Sequence, residues 1–227
     1  MRLIYFSVPG RAEASRVALS LAGIDWEDIQ VDGPEFQNMK ANGELPWGML
    51  PVLVTEEGTL AESSAILRFA GEKAGLVPHD AYQRAKVNEF LDGMWSLAIA
   101  LDSTFGIDDQ QKRIDLRKGL FELEGEGTRC MRIFEEKIRE SPTGWIAGSD
   151  EMSIADLKLF TELFGLFSGN YDGIEPEMLR GYNQLLDYHS RVSNEPRILK
   201  HYSNVSKDDL RWTFLPGAFN HISQDIV

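Results

Sequence analysis

Few side chains in this sequence have both the type and the spacing to do chemistry, and most of them lie before residue 64. Met49-Leu50-Pro51 stands just ahead of the apolar run Val52-Leu53-Val54. An X-Pro bond at such a junction is a candidate cis peptide, because proline alone makes that isomer cheap. It would turn the backbone N–H and C=O of Leu50 outward, where an extended peptide can pair with them as an added strand. A tyrosine, Tyr5, closes an earlier strand-like run, and Glu62-Ser63 opens a helix-like one. Other chemistries find less support. Cys130 is the one cysteine, so an internal disulfide or a Cys-x-x-Cys redox pair is excluded and a reducing compartment is favoured. His79, His189, His201 and His221 have no metal-ligand spacing, and no metal is expected.

Those residues need elements to position them. Arg2 to Phe6 is rich in β-formers, and Val8-Pro9-Gly10 breaks it before a helical pattern begins at Arg11. Ala14, Val17, Ala18, Leu21 and Ala22 mark one helix face, and Gly23 is placed to cap it. Trp26 to Val31 reads as a second strand, parallel to the first because a helix separates them. A long loop from Asp32 to Gly48 is expected next, then a third strand, a turn at Glu57-Gly58, a fourth strand near Leu60 and a helix from Ser63 to Lys73. Beyond Asp80 the pattern is helical: one long helix from Tyr82 to about Phe105, and another from Gln110 to Glu140 with a kink near Gly125 and Gly127. Pro176 and Pro196 fall where first-turn prolines would. The class is α+β, with an α/β domain over 1–76, a linker at 77–81 and an all-α domain over 82–227.

The order β-α-β then β-β-α, with proline entering the third strand, resembles the thioredoxin fold. Leu3-Ile4-Tyr5-Phe6, Gly10-Arg11-Ala12-Glu13 with Arg16, Leu50-Pro51-Val52-Leu53, Glu62-Ser63 with Ala65-Ile66, and Ser153-Ile154-Ala155-Asp156 together are similar to a cytosolic glutathione transferase of sigma-like class, with pi, mu and alpha as neighbours. The resemblance runs from residue 2 to about residue 200. It implies that glutathione is the co-substrate and that Tyr5, at the end of the first strand, donates a hydrogen bond to its sulfur. A thiol of pKa about 8.5 is only a few per cent thiolate at neutral pH, and each pH unit of depression is worth about 1.4 kcal/mol.

The resemblance also distributes the peptide's other groups. Glu62 suits the γ-glutamyl ammonium, and Ser63 with the helix amino terminus suits the neighbouring carboxylate. The same pair would serve equally as an ordinary cap with an acidic first turn. Phe36 and Lys40 keep the spacing of a tryptophan and lysine that hold the glycyl carboxylate in sigma-like sequences, although Phe36 has no indole N–H. Arg11 is a further cation. Met49 stands where relatives often carry lysine or glutamine, which leaves backbone pairing at Leu50, next to Pro51, as the contact there. An aspartate from a partner subunit completes many such sites, and Asp92 and Asp102 are in the aligned region. Val8, Met94, Trp95, Ile99 and Phe105 could line an electrophile pocket between the domains, with the tail from Ser206 to Val227 folding over it. Ser153 and Asp156 read as a capping box with a structural role.

The expected function is conjugation of glutathione to small hydrophobic electrophiles. A glutathione-dependent isomerase or peroxidase, prostaglandin D synthase-like, and a non-catalytic crystallin-like or ligand-binding protein are the alternatives. A formal charge of -13 argues against nucleic acid and anionic membrane as partners. No stretch approaches the ~18 apolar residues of a membrane span, and a cytoplasmic location is expected. A homodimer is expected from the resemblance, with Trp47, beside Pro46 and Gly48, as a candidate interface anchor.

Overall fold

A computed structural model describes residues 1–222, with the side chains of residues 95 and 96 outside the description. The first unit is a four-stranded sheet in the order β2-β1-β3-β4. Strand β1 (Arg2–Phe6) pairs in parallel with β2 (Glu27–Val31), setting Tyr5 beside Gln30. It pairs antiparallel with β3 (Val52–Val54), which turns through Glu57-Gly58 into β4 (Thr59–Ala61). The Leu50-Pro51 bond is cis. Helix α1 (Glu13–Leu21) follows a 3₁₀ turn over Gly10–Ala12, and Gly23 ends it at φ 64°. Helix α3 (Ser63–Lys73) completes this thioredoxin-like unit.

The expected loop from Asp32 to Gly48 is instead largely helix α2 (Gly33–Ala41). Asp32 caps it and Glu35 reaches back to the Asp32 N–H, both bonds at 2.8 Å, while Pro34 occupies the first turn, where its missing N–H costs nothing.

The second unit is helical, and two of its expected helices are broken. The run from 82 to 105 divides into α4 (Ala81–Gly93) and α5 (Trp95–Asp102) after Gly93, the weakest helix former in that stretch. The run from 110 to 140 divides into α6 (Gln110–Leu120) and α7 (Glu126–Glu140). There the chain turns back so tightly that a Cβ on Gly125 would lie 2.3 Å from the Leu120 carbonyl. After α8 (Ile154–Gly165) come α9 (Asn183–Ser193) and α10 (Pro196–His201), with 3₁₀ turns at Leu166–Ser168, Pro176–Leu179 and Leu210–Phe214. Pro196 begins α10 as expected, and Pro176 begins a 3₁₀ turn.

Helix α8 is the axle of the molecule. Ser153 and Asp156 form the expected capping box, and the fully buried Asp156 also accepts from Ile146 N and Tyr188 Oη. Burial pushes the Asp156 carboxyl up, against the pull of those hydrogen bonds. Leu157, Phe160, Leu163 and Phe164 fill the core, and α1 packs across them. As far as residue 222 the tail packs on α8 rather than over the interdomain cleft, with Phe214 against Phe160 and Phe219 against Phe164; its last five residues lie outside the described residues.

Candidate active site

Two adjoining cavities lie between the units. The larger, about 320 Å³, is lined by Tyr5, Phe6, Val8, Gly10 and Phe36 on one side and Met94, Leu97, Leu101, Phe105 and Leu166 on the other. The smaller, about 260 Å³, is lined by Met49, Leu50, Pro51, Glu62, Ser63 and Ser64, facing Lys158 and Glu162. Arg11, Met49, Leu50, Met94, Ala98, Asp102 and Glu162 belong to both, so the cavities meet in one seam.

Tyr5 stands at that larger cavity with only 8% of its surface exposed. Its hydroxyl accepts from the Arg11 backbone N–H at 3.3 Å. A hydroxyl that accepts from the backbone keeps its own proton for another acceptor. Burial raises the Tyr5 pKa above its ordinary value, with the Arg11 N–H and the charges of Arg11 and Arg16 acting the other way, so the group is a neutral donor at physiological pH. The approach is possible because residue 10 is glycine. It sits at φ 44°, and a Cβ there would lie 2.7 Å from the Tyr5 hydroxyl.

At the other end of the seam, Ser63 is the first residue of α3 and Glu62 its cap, held at φ 68° and ψ 115°. A non-glycine residue in that region is strained, and such residues cluster at functional sites. No side chain caps this helix, so its first N–H groups face the smaller cavity without that competition.

The remaining expected residues divide. Phe36, now on α2, lines the larger cavity and packs edge-on against Phe6 at 5.5 Å. Lys40 lines neither cavity; its stem lies over Gly48 and its ammonium over the Phe36 ring. Arg11 is at the seam, ion-paired with Asp102 from α5. Asp92 is elsewhere, bonded to Arg68 at 2.7 Å. Of the suggested pocket residues, Val8, Met94 and Phe105 line the larger cavity, Ile99 does not, and the Trp95 side chain lies outside the described residues.

Sequence reasoning missed the polar side of α8. Lys158 and Glu162 form an ion pair at 2.6 Å, almost closed from solvent, and Thr161, Ser168, Asn170 and Tyr171 continue that wall into the larger cavity. The signal was there: two opposite charges four residues apart in a helix that is otherwise mostly apolar beyond its capping Asp156. The Tyr171 hydroxyl is pushed up to about 12, chiefly by burial.

Residues 1–72 match the family model "Glutathione S-transferase, N-terminal domain", and residues 103–204 match "Glutathione S-transferase, C-terminal domain". The chain belongs to the glutathione S-transferase family. Glutathione S-transferase 1 of Ascaris suum is 26% identical over 88% of this chain and 93% of its own length. Glutathione S-transferase A4 of Mus musculus is 25% identical over 88% and 86%. Among solved structures, the prostaglandin synthase D of Nilaparvata lugens superposes with a TM-score of 0.77, covering 90% of this chain and 98% of that one at 20% identity, a likeness of fold. As a glutathione transferase the protein uses glutathione as co-substrate. No helix among the described residues is long and apolar enough to cross a membrane.

Proposed function

We propose that this transferase lays glutathione along the smaller cavity and activates its thiol with Tyr5 for attack on small hydrophobic electrophiles held in the larger one. The observation that carries the reading is the Tyr5 hydroxyl itself. It is buried, accepts from the Arg11 N–H, and so keeps its own proton to donate at a cavity lined by Met94, Leu97, Leu101 and Leu166 beside the polar wall of Thr161, Ser168 and Asn170. A neutral donor fixed beside a forming thiolate stabilises charge without reorganising, which is how a preorganised site lowers a barrier. Glu62 takes the γ-glutamyl ammonium, Ser63 and the α3 amino terminus take the adjacent carboxylate, and Leu50, Pro51 and Met49 form the edge against which the peptide backbone lies. Arg11 completes the charge at the seam. Phe36 serves the glycyl end from the wall of the larger cavity, and Lys40, which lines neither cavity, serves it as the cation lying over the Phe36 ring next to Gly48.

The same reading makes the protein a cytoplasmic, sigma-like detoxification enzyme, with the domain boundary at 77–81, and a homodimer. A single buried cysteine suits a reducing compartment. Trp47 is 72% exposed on a loop of proline and glycine. A cavity of about 330 Å³ between α4 and α7, lined by Phe90, Ile133 and Phe134, offers an apolar receptor for the partner's copy of it. Turnover of an aryl halide, a hydroperoxide and an endoperoxide tests the reaction. Conjugation of the halide is expected; turnover confined to the peroxides would make the protein an isomerase or peroxidase, and none would make it a binding protein.

A further inference from the structure

The loop that brings the Arg11 N–H to Tyr5 is held from the far end of the chain. Arg16, 3% exposed on α1, donates through Nη1 to the carbonyls of Val8 at 2.9 Å and Pro9 at 3.1 Å, and through Nη2 to that of Phe6 at 3.2 Å. Its Nε bonds Asp28 at 3.0 Å, and its guanidinium lies 5.7 Å from the Tyr5 ring centre. Three carbonyls between Tyr5 and Gly10 therefore depend on one side chain. The fully buried Glu13 balances that charge at 3.2 Å with one oxygen. Its other oxygen accepts from Tyr202 Oη at 3.1 Å and from Arg211 Nε at 2.9 Å. Arg211 lies in the 3₁₀ turn Leu210–Phe214, where Asp209 caps the turn and also bonds Arg211, and His201 faces the same cluster.

We propose that Glu13, Tyr202 and Arg211 are positioning residues, through which the C-terminal turn fixes Arg16, the loop 6–10 and hence the Arg11 N–H that orients the Tyr5 hydroxyl. This rests on the reading of Tyr5 as the thiol's donor. Buried ion pairs are weak devices for stability, since desolvation offsets most of their attraction, but they fix geometry sharply. The bond they would fix has little slack: 3.3 Å is already the long end for N–H···O, and a small shift of the loop would lose it. Glu13 without Arg211 is an underbalanced buried carboxylate left to Arg16 and Tyr202, and because the Arg16 Nη1 that pairs with it also holds the Val8 and Pro9 carbonyls, any closer approach of the two charges shifts the loop.

The test compares Arg211→Met, Arg211→Lys and Tyr202→Phe with the parent and with Tyr5→Phe, by ultraviolet titration of the bound thiolate and by the pH profile of kcat. Arg211→Met should raise the bound thiol's pKa toward that of Tyr5→Phe and lower kcat at neutral pH about tenfold, with the glutathione KM within about twofold. Arg211→Lys should recover most of the loss, and adding Arg211→Met to Tyr5→Phe should cost little more, because both act on one hydroxyl. A lower melting temperature with a parental pH profile in Arg211→Met would leave these residues a purely structural role and overturn the proposal. If that variant does not fold, Tyr202→Phe removes one bond and no charge: a small shift in the same direction supports the relay, and a parental profile overturns it. A parental profile in Tyr5→Phe would sink both readings, whereas a shift there without one in Arg211→Met would sink the relay alone.

Discussion

Replacing Gly10 by alanine should slow the enzyme without replacing any side chain that contacts substrate, by displacing the Tyr5 hydroxyl. The new Cβ would lie 2.7 Å from the Tyr5 hydroxyl oxygen and 3.0 Å from Cε1, so the hydroxyl must retreat roughly 0.7 Å to reach the 3.4 Å of ordinary contact. The ring has little room, being edge-on to Phe6 at 5.4 Å with Arg16 over its face. A non-glycine residue at φ 44° adds about 1–2 kcal/mol of backbone strain. For a chain of this length that lowers the melting temperature by roughly 2–8 °C. Misplacement by 1 Å can cost about a hundredfold in rate, so a loss of at least about tenfold in kcat is expected from the smaller shift. Steady-state turnover of an aryl halide, thiolate titration and a thermal melt on the same preparation separate the two effects. A folded Gly10→Ala enzyme with parental kcat and parental thiol pKa would refute the idea that the hydroxyl's present position matters.

Glu62→Gly should relieve the strain at φ 68° and melt no lower than the parent, yet bind glutathione ten- to a hundredfold more weakly, about 1.5–3 kcal/mol by calorimetry; Ser63→Ala should also weaken binding, and parental affinity in both would leave Glu62-Ser63 a cap alone. His189 is buried among Phe160, Phe164 and Phe219 and donates to the Thr213 carbonyl, and burial holds its pKa at about 4. The unfolded chain takes up this proton near ~6.5 and the fold resists until about 4, so stability should be full above the first value and fall by roughly 3 kcal/mol on descending to the second. Urea midpoints of the parent and His189→Phe across that window should diverge, and parallel curves would contradict the burial argument. Trp47→Ala, sedimented over a concentration series, should show monomers where the parent stays dimeric; an unchanged dimer would remove the anchor.

What the sequence disclosed was mostly what is written locally. The run of β-formers in β1, the cap at Gly23, the Pro51 turn, the start of α3 at Ser63 and the Ser153–Asp156 box each rest on neighbouring residues, and each has its expected place, although β1 buries Leu3, Ile4 and Tyr5 in succession rather than alternately. Helix α2 was equally local but masked: Gly33-Pro34 looks like a breaker unless Asp32 and Glu35 are read as a capping box. The seam was not legible, because it is made at a distance. Arg11 meets Asp102 across 91 residues, and the Lys158–Glu162 pair means something only once the cleft is seen to open on that face of α8. Gly10 could be read as a breaker, yet its closeness to Tyr5 required the fold. The tail's aromatic residues suggested a cover, yet Phe214 and Phe219 pack into the core against Phe160 and Phe164 of α8, a contact between distant residues that local sequence does not show.

The claim that Tyr5 lowers the pKa of the bound thiol is tested most directly by titrating the thiolate absorbance of glutathione on the parent and on Tyr5→Phe. The account predicts a pKa in the parent well below the ~8.5 of a free thiol and a return toward that value in the variant, with kcat recovering as pH rises and glutathione affinity changing little. A bound thiol that titrates at the same pH in both proteins would contradict it.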